Sequence, residues 1–367
     1  MYASPVQEGS VGRRGPAWAQ LARLDVPLVA ATVGLVAVSV YTLTMATQDD
    51  IPGSPLYYVI RQVISAVFGM AIMLAVARLD VSRLREHSRA LYAGMIVSIV
   101  LVFVIGAAAR GSKRWIELGV IKFQPSELGK VLLILALSAF VVDRARRLGD
   151  RETTSRIVLL ALVPAMLVIV QPDLGSGLVY LAIAAVTMFL AGTKWNHLAG
   201  LGGIATVAVV VVLVAAPAVG VEVLKPYQVD RLTAFVNPTD DPQKQGYQLK
   251  QSITAIGSGQ KLGRGPEGAT QTRLDFLPEH HTDFIFAVIG EQFGFLGAAV
   301  VLSLYALLLW RAMRILTSAK NLYGALVAGG ITAMLMFQVF VNVGMTIGIL
   351  PITGVPLPLV SYGGSSV

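Results

Sequence analysis

The chain predicts an all-α polytopic membrane protein of about ten transmembrane helices with one large extracytoplasmic loop. Three observations carry that class. Hydrophobic residues make up 55% of the 367 residues and charged ones only 14%, with a mean hydropathy of +0.70, whereas a soluble domain carries about a quarter charged residues. Apolar runs of roughly the 20 residues needed to cross a bilayer recur along the chain. The arginines and lysines gather mostly in short connectors between those runs, the distribution that orients spans in a membrane.

Residues 1–25 read as a cytoplasmic tail, because Arg13 and Arg14 are not followed by a short apolar core with a small-residue cleavage site. Spans follow at about 26–47, 57–77, 91–109 and 127–142, and others near 198–220, 283–310 and 322–349. The interval 157–192 would be about 50 Å long as a single helix, too long for a hydrocarbon core of about 30 Å. Gln171-Pro-Asp-Leu-Gly-Ser-Gly177 interrupts it, so two short spans fit better. That parity puts four cationic groups on one face: Arg13, Arg14 and Arg23; Arg78, Arg83, Arg85 and Arg89; Arg144, Arg146, Arg147, Arg151 and Arg156; and Arg311, Arg314 and Lys320. The face so marked is the cytoplasm. Residues 110–122 lie outside and break the rule with Arg110, Lys113, Arg114 and Lys122. The remaining stretch after Pro356 is too short for a complete span, so the expectation is a last helix cut short or an end that dips into the interface. The net charge of +8 belongs with anionic membrane lipids and not with nucleic acid, and the absence of cysteine excludes disulfides and thiolate chemistry.

Several polar groups stand out against this background. The segment 221–282 is the one long extramembrane stretch, and its Leu249-to-Ile256 part fits an amphipathic helix lying on the membrane. The glycine run 259–268 resembles a phosphate cradle only loosely and reads as a flexible loop. Asp283 lies where a polar approach enters an apolar span. Two readings stand: Thr282 or Asp283 caps the helix that begins there, or the carboxylate works. Adjacent His280 and His281 should face different directions and lack a metal-site spacing, which favours interfacial polar residues. Asp173, between Pro172 and Gly175, reads as a cap for the helix that follows or as a carboxylate facing the cavity of Asp283. Glu127 and Lys130 are three apart, an ion pair on one helical face. Trp115 with Arg114 fits an interfacial anchor, yet Lys113, Arg114 and Lys122 also form an outward cationic cluster suited to a phosphate-bearing ligand.

Taken together, these segments resemble the SEDS family (shape, elongation, division and sporulation). The matching stretches are Gly111-Ser-Lys-Arg-Trp-Ile-Glu-Leu-Gly119, Phe123-Gln-Pro-Ser-Glu-Leu-Gly-Lys130, Gln171-Pro-Asp-Leu-Gly175, Gly246–Gly259, Phe276–Gly297 and Pro351-Ile-Thr-Gly-Val-Pro-Leu-Pro-Leu-Val-Ser-Tyr-Gly-Gly-Ser-Ser366. They run in order over nearly the whole chain. The Gln171–Gly175 motif, the Asn237-Pro and Asp241-Pro242 loop, Thr270-Gln-Thr272 and Ile352-Thr-Gly354 are closer to the elongation branch than to the division branch. Gly129 stands where the family's small alanine is expected, and most of a tenth helix is missing after Val367.

The resemblance implies a peptidoglycan glycosyltransferase that polymerises Lipid II into glycan strands at the outer face of the cytoplasmic membrane, with a class B penicillin-binding protein supplying transpeptidation. Asp283 occupies the position of the family's essential carboxylate. Arg114, Lys130 and Asp275 fall on positions associated with activity, and Lys113, Trp115 and Glu279 complete the candidate substrate-binding set. Glu127 and Asp173 are candidate cavity-lining or structural residues. The chemistry fits one carboxylate: a sugar 4-hydroxyl needs a general base, while pyrophosphate leaves as a stable anion without protonation. Charge growing on that leaving group calls for Arg, Lys or a divalent cation, Mg or Mn, and no organic cofactor is implied. A flippase for lipid-linked precursors is the alternative, and it would need polar contacts through the whole depth of the bilayer. A scaffold role would leave Asp283 dispensable.

Overall fold

The computed structural model describes residues 24–363 except 49, 110–111, 119–120, 219–225, 237–244 and 275. Among the described residues, seven helices are long and apolar enough to cross a membrane: α1 Val26–Ala46, α2 Tyr57–Val76, α4 Pro125–Asp143, α5 Arg151–Val170, α7 from Trp195, α11 Ile285–Ser318 and α12 Leu322–Thr346. Two shorter apolar helices, α3 Ser88–Ile105 and α6 Leu174–Leu190, lie among them. The chain is thus a polytopic helical membrane protein, and the described residues do not reach the expected ten spans. The interval 157–192 is two helices, α5 and α6, separated at Gln171–Asp173.

Sequence punctuation explains the helix starts. Asp25 caps α1 by accepting from the Leu28 amide, Asn321 caps α12 through the Gly324 amide at 2.7 Å, and Pro125 opens α4 where no amide is needed. Their lengths follow from apolar composition alone. The most apolar window of α7 buries 0% of its residues inside the protein, so no described part of this chain covers its faces.

Tertiary contacts gather the Arg-rich connectors at one end. Arg311 Nε donates to Asp25 at 2.9 Å, which holds the Asp25 carboxyl below its usual range. The turn Val81–Leu84 packs on α12, Arg85 pairs with Asp143 at 2.7 Å, and Thr154 meets His197 at 2.9 Å.

Two findings depart from what the sequence leads one to expect. Residues 107–123 form a small antiparallel sheet in the order β1 Ala107–Ala109, β2 Ser112–Leu118, β3 Ile121–Phe123. Its register passes from Ala108↔Lys113 to Ala107↔Trp115, leaving Arg114 as an extra residue in β2. The stretch 221–282 is also far from a bare loop. It holds α8 Pro226–Val236, α9 Gln245–Gly259 and α10 Thr270–Arg273. Helix α9 packs on protein along one face. Leu249 and Ala255 are buried with Leu277, Phe284, Ala287 and Ile352, and Ser252 donates to Thr346 O at 2.8 Å. Its apolar face finds protein before lipid.

The glycine run is a docked turn and not a flexible loop. Helix α11 kinks at Gly294 (φ 64°), and the turn 259–264 fits into the kink: Phe295 N donates to Gln260 O at 2.8 Å and Arg264 N to Glu291 O at 2.9 Å. A Cβ on Gly294 would meet Gly263 N at 2.3 Å, so both the dihedral and the contact require glycine.

The bundle centre is built by α3, α4, α5, α6 and α12 around Met95, Ile134, Leu137, Val179 and Leu326. At its heart Tyr180 donates to Ser126 O at 3.0 Å. A Cβ on Gly129 would lie 2.1 Å from that hydroxyl oxygen, which explains why this chain has no alanine there. Gly129→Ala should therefore destabilise by about 1–3 kcal/mol through overpacking. Adding Tyr180→Phe should recover most of the loss, a non-additivity readable from thermal unfolding of the four proteins in detergent.

Candidate active site

Asp283 sits in the tight turn 279–284 just before α11. The turn closes on Glu279 (φ 58°), whose carbonyl accepts from Thr282 N at 3.1 Å and whose Oε2 accepts from Thr282 Oγ1 at 2.9 Å. The capping reading is corrected: α11 starts at Ile285 with Phe284 at its N-cap, and no side chain caps it.

Three successive carbonyls of this turn are each held from outside. His281 O accepts from Tyr362 N at 2.9 Å, Thr282 O from Ser361 Oγ at 2.6 Å and Asp283 O from Asn342 Nδ2 at 2.9 Å. Asn342 also donates to Val355 O at 2.8 Å, so one buried amide joins α12, the Asp283 turn and the segment beyond α12. That segment is non-helical yet runs inside the bundle, with Ile352, Leu357, Val360 and Ser361 buried. Ser39 donates to Val360 O at 2.6 Å, Gln62 donates to Ser39 at 2.9 Å, and the Tyr305 hydroxyl donates to Pro358 O. Residues 350–363 fold back into the bundle and form no further helix.

Beside Asp283 the same segment makes a floor. Gly354 has φ 75°, and a Cβ there would lie 3.5 Å from Asp283 Oδ2 and 3.7 Å from Arg231 Nη2. Arg231, on α8, donates to Thr353 O at 3.0 Å. A carboxylate and a guanidinium thus converge over one glycine. Thr353 also abuts the start of α6, where a Cβ on Gly175 would be 2.8 Å from its carbonyl oxygen.

From there a polar chain runs inward. Asp173 caps α6 through the Ser176 amide at 3.0 Å, and its other oxygen accepts from Gln124 Nε2 at 3.0 Å. Gln124 reaches Ser126 at 3.0 Å, one turn from the ion pair of Lys130 Nζ with Glu127 Oε1 at 2.6 Å. Lys130 is 1% exposed, so the cost of burying its ammonium group is offset by that partner. The Asp173–Gln124–Ser126 bonds and the Lys130–Glu127 pair thus lie in neighbouring turns at the start of α4, and Thr353 stands between the start of α6 and the floor beside Asp283. Trp115 is half-buried in β2. The backbones of Lys113 and Arg114 lie in the same strand, with their side chains outside the described part, and Asp275 lies outside the described residues.

Sequence reasoning missed several members. Arg231 lay in a segment taken as loop, and nothing short of the fold places it by Asp283. Asn342, Gln62 and Glu291 carried a signal: polar groups inside apolar spans need partners. Glu291 is 0% exposed and accepts from Gln271 N at 2.8 Å, Thr272 N at 3.0 Å and Thr272 Oγ1 at 2.6 Å, anchoring α10. Asp50, His280 and His281 form a potential metal-coordinating cluster, with one ligand atom from each within 4.8 Å of the others. The expectation that adjacent histidines diverge fails here because the turn is irregular and not a regular helix or strand.

Comparison with known proteins places these features. The FTSW_RODA_SPOVE family of cell cycle proteins matches residues 23–367. The chain belongs to this family. It is 38% identical to the peptidoglycan glycosyltransferase MrdB of Escherichia coli K12 over 308 residues, covering 83% of this chain and 80% of that protein. A chain in a structure of a peptidoglycan synthase complex, described for its coordination of polymerisation and crosslinking, superposes with a TM-score of 0.79 at 32% identity over 94% of each chain. The rod shape determining protein RodA of Thermus thermophilus superposes with a TM-score of 0.67 at 29% identity over 94% of this chain and 92% of that one. The protein is a SEDS-family homologue of the RodA and FtsW glycosyltransferases.

Replacing Asn342 with Leu keeps the volume but removes the donor to both Asp283 O and Val355 O. Thermal unfolding should show a loss of roughly 1–3 kcal/mol for stranding buried carbonyls. Turnover should fall further than stability alone explains, because the Asp283 turn loses one of its three ties.

Proposed function

We propose that this chain polymerises Lipid II into glycan strands during cell elongation, with Asp283 as general base, working beside a class B penicillin-binding protein. Its likeness to MrdB and to the chain from a synthase complex supports the reaction and the partnership. The observation that carries the mechanism is the convergence of Asp283 and Arg231 over Gly354.

In this reading the acceptor's 4-hydroxyl attacks the anomeric carbon of the donor sugar. The new C–O bond forms as the bond to undecaprenyl pyrophosphate breaks, the hydroxyl proton passes to Asp283, and the electron pair leaves on the pyrophosphate. Attack from the opposite face inverts the anomeric centre. A carboxylate in hydrogen-bond reach of the hydroxyl is worth about 10²–10⁴-fold. Charge growing on the pyrophosphate needs cations fixed beforehand. Arg231, pinned by Thr353, supplies one, and Arg114 and Lys113 in β2 supply others as the family motif implies. A bound divalent cation, Mg or Mn, would share that charge. Among the described residues Asp50, His280 and His281 are the cluster fitted to hold one, and their two imidazoles favour Mn over Mg.

The ionisable groups of the site collect at one end of the helices, which supports an enzyme over a flippase. We assign that end to the outer face and the Arg-rich end to the cytoplasm on the asymmetry of positive charge.

The test is polymerisation of Lipid II by purified protein with its partner. Asp283→Asn keeps shape but cannot take the proton, so turnover should fall by at least about 10²-fold while unfolding temperature and partner binding stay near normal. Wild-type turnover in a well-folded Asp283→Asn protein rejects the assignment. Orientation is read separately by single-cysteine labelling, clean because the chain has no cysteine. Positions 145–155 should stay unlabelled in intact cells, and an impermeant reagent reaching them overturns the topology.

A further inference from the structure

We infer that the Arg-rich end of the bundle holds a binding site for the phosphodiester headgroup of an anionic phospholipid, seated between the start of α3 and the end of α4. Helix α4 begins beside Gln124 and ends at Asp143, so this place lies a helix length, about 28 Å, from the Gln124 end of the candidate active site. Two hollows meet there. One of about 620 Å³ is lined by Arg144, Arg146 and Arg147, and a second of about 490 Å³ by Arg85, Glu86 and Ser88, with Arg89 and Asp143 common to both.

Charge decides the sign of the ligand. Five arginines line these hollows against two carboxylates, Glu86 and Asp143. Asp143 is already engaged by Arg85, whose Nη2 donates to Oδ1 at 2.7 Å and whose Nε donates to the same oxygen at 3.2 Å. Among the described residues, Arg89, Arg146 and Arg147 have no side-chain hydrogen bond or ion pair. The Arg144 guanidinium stacks over the Phe140 ring at 4.1 Å, which fixes its plane and leaves its in-plane N–H donors for an acceptor. By contrast, Arg311 pairs with Asp25 and Arg156 with Glu152. Phosphate oxygens are the acceptors that such planar forks match. Ser88 opens α3, so the positive end of that helix adds to the field; the negative end of α4 opposes it and is outweighed by the arginines at 144–147.

Position selects a lipid over a soluble anion. From Arg89, the exposed residues Ala93, Val97, Val100 and Val104 recur every three or four positions along one face of α3. Val97 is 63% and Val104 72% exposed, so this strip is bare of protein. At a rise of about 1.5 Å per residue, Val97 and Val100 stand about 12 and 16 Å from Arg89, the depth of one leaflet of a core about 30 Å thick. A headgroup held by the arginines lays its acyl chain along that strip. Free phosphate gains nothing from it, and neither does an acidic peptide in water. Diffuse attraction to anionic membranes belongs to every Arg-rich connector; here unpaired guanidinium groups, a concave surface and an apolar track coincide.

The experiment uses the full chain, delipidated in an uncharged detergent, with bound lipid counted by native mass spectrometry and thermal unfolding followed in parallel. Phosphatidylglycerol should be retained at about one molecule per chain and raise the unfolding temperature by a few degrees, and phosphatidylcholine of the same chain length should do neither. Glycerol phosphate and inorganic phosphate carry the headgroup chemistry without an acyl chain and should bind at least about tenfold more weakly. Arg146→Gln combined with Arg147→Gln, and separately Arg89→Gln, should lower the affinity for phosphatidylglycerol by about fivefold per arginine. Arg314→Gln combined with Lys320→Gln removes cations that line neither hollow and should leave that affinity unchanged. An equal loss in this control, or equal retention of phosphatidylcholine, leaves only diffuse surface charge and overturns the site. Glycerol phosphate binding as tightly as the lipid rejects the lipid as ligand. A polyglutamate peptide that binds these arginines more tightly than phosphatidylglycerol rejects it in favour of an acidic protein partner. No readout depends on glycan synthesis, so the outcome stands apart from the proposed function.

Discussion

The structure depends on one constraint: every backbone group that leaves a helix inside the bundle must find a partner without help from water. Residues 350–363 and 279–284 are two irregular segments at the helix ends, and they meet that demand largely through each other. Tyr362 N, Ser361 Oγ and Asn342 Nδ2 take the carbonyls of His281, Thr282 and Asp283 in order. Ser361 Oγ also accepts from Leu357 N at 2.8 Å, so a single hydroxyl closes one turn and clamps the next. The carboxylate at the end of this chain of contacts is positioned by backbone on backbone, where side-chain packing alone would leave it free to rotate about the turn. The same bonds reach α1 and α2 through Ser39 and Gln62, which makes the Asp283 turn a junction for half of the molecule.

Close glycine packing does for the stretch 259–264 what those hydrogen bonds do for the turn. Gly259 and Gly263 lie against Gly290 and Gln292 carbonyls with no room for a Cβ, at 1.9 and 2.1 Å. Backbone touching backbone at that range cannot slide by a rotamer change, so 259–264 and the first turns of α11 move as one body. Glu291 adds a polar lock beneath it. A buried carboxylate costs several kcal/mol unless it is well bonded, and three donors from residues 271–272 meet that cost. Helix α10 is thereby fixed by a charge that has no other reason to be inside a span.

How much of this was legible in the sequence differs by the kind of signal. Spans were legible because composition over about 20 residues decides them, and the break at Pro172 was legible because proline and glycine act locally. Asp173 as a helix cap follows from the same local rules. The sheet at 107–123 was not legible, since a short cationic stretch with one tryptophan carries no clear alternation. Helix α9 was visible by its periodicity, but whether lipid or protein covers an apolar face is a tertiary fact. The convergence of Arg231 on Asp283 and of Asp50 on His280 joins positions 52 and 230 residues apart, and no local rule reaches that far. Gly129 was legible only as a departure from its family; its cause, the Tyr180 hydroxyl, lies on another helix.

The placement of the polar groups also limits what the molecule can do. Helix ends leave backbone donors and acceptors unused, so they are the places in a bilayer where polar chemistry costs least to assemble. The candidate site draws on such ends: the start of α4 with Gln124, the start of α6 with Asp173, the approach to α11 with Asp283 and the chain beyond α12 with Thr353. The buried pair of Glu127 and Lys130 extends this network about one turn into α4. At the opposite end the charged pairs are more exposed, as Arg85 with Asp143 shows at 43% and 56%. A site built this way can hold a charged headgroup at one surface and work on it there. Carrying that headgroup across would require the same donors and acceptors at successive depths, and the bundle centre is built chiefly of apolar side chains such as Met95, Ile134, Leu137 and Val179, with Ser138, Thr187 and Thr332 among its buried polar groups.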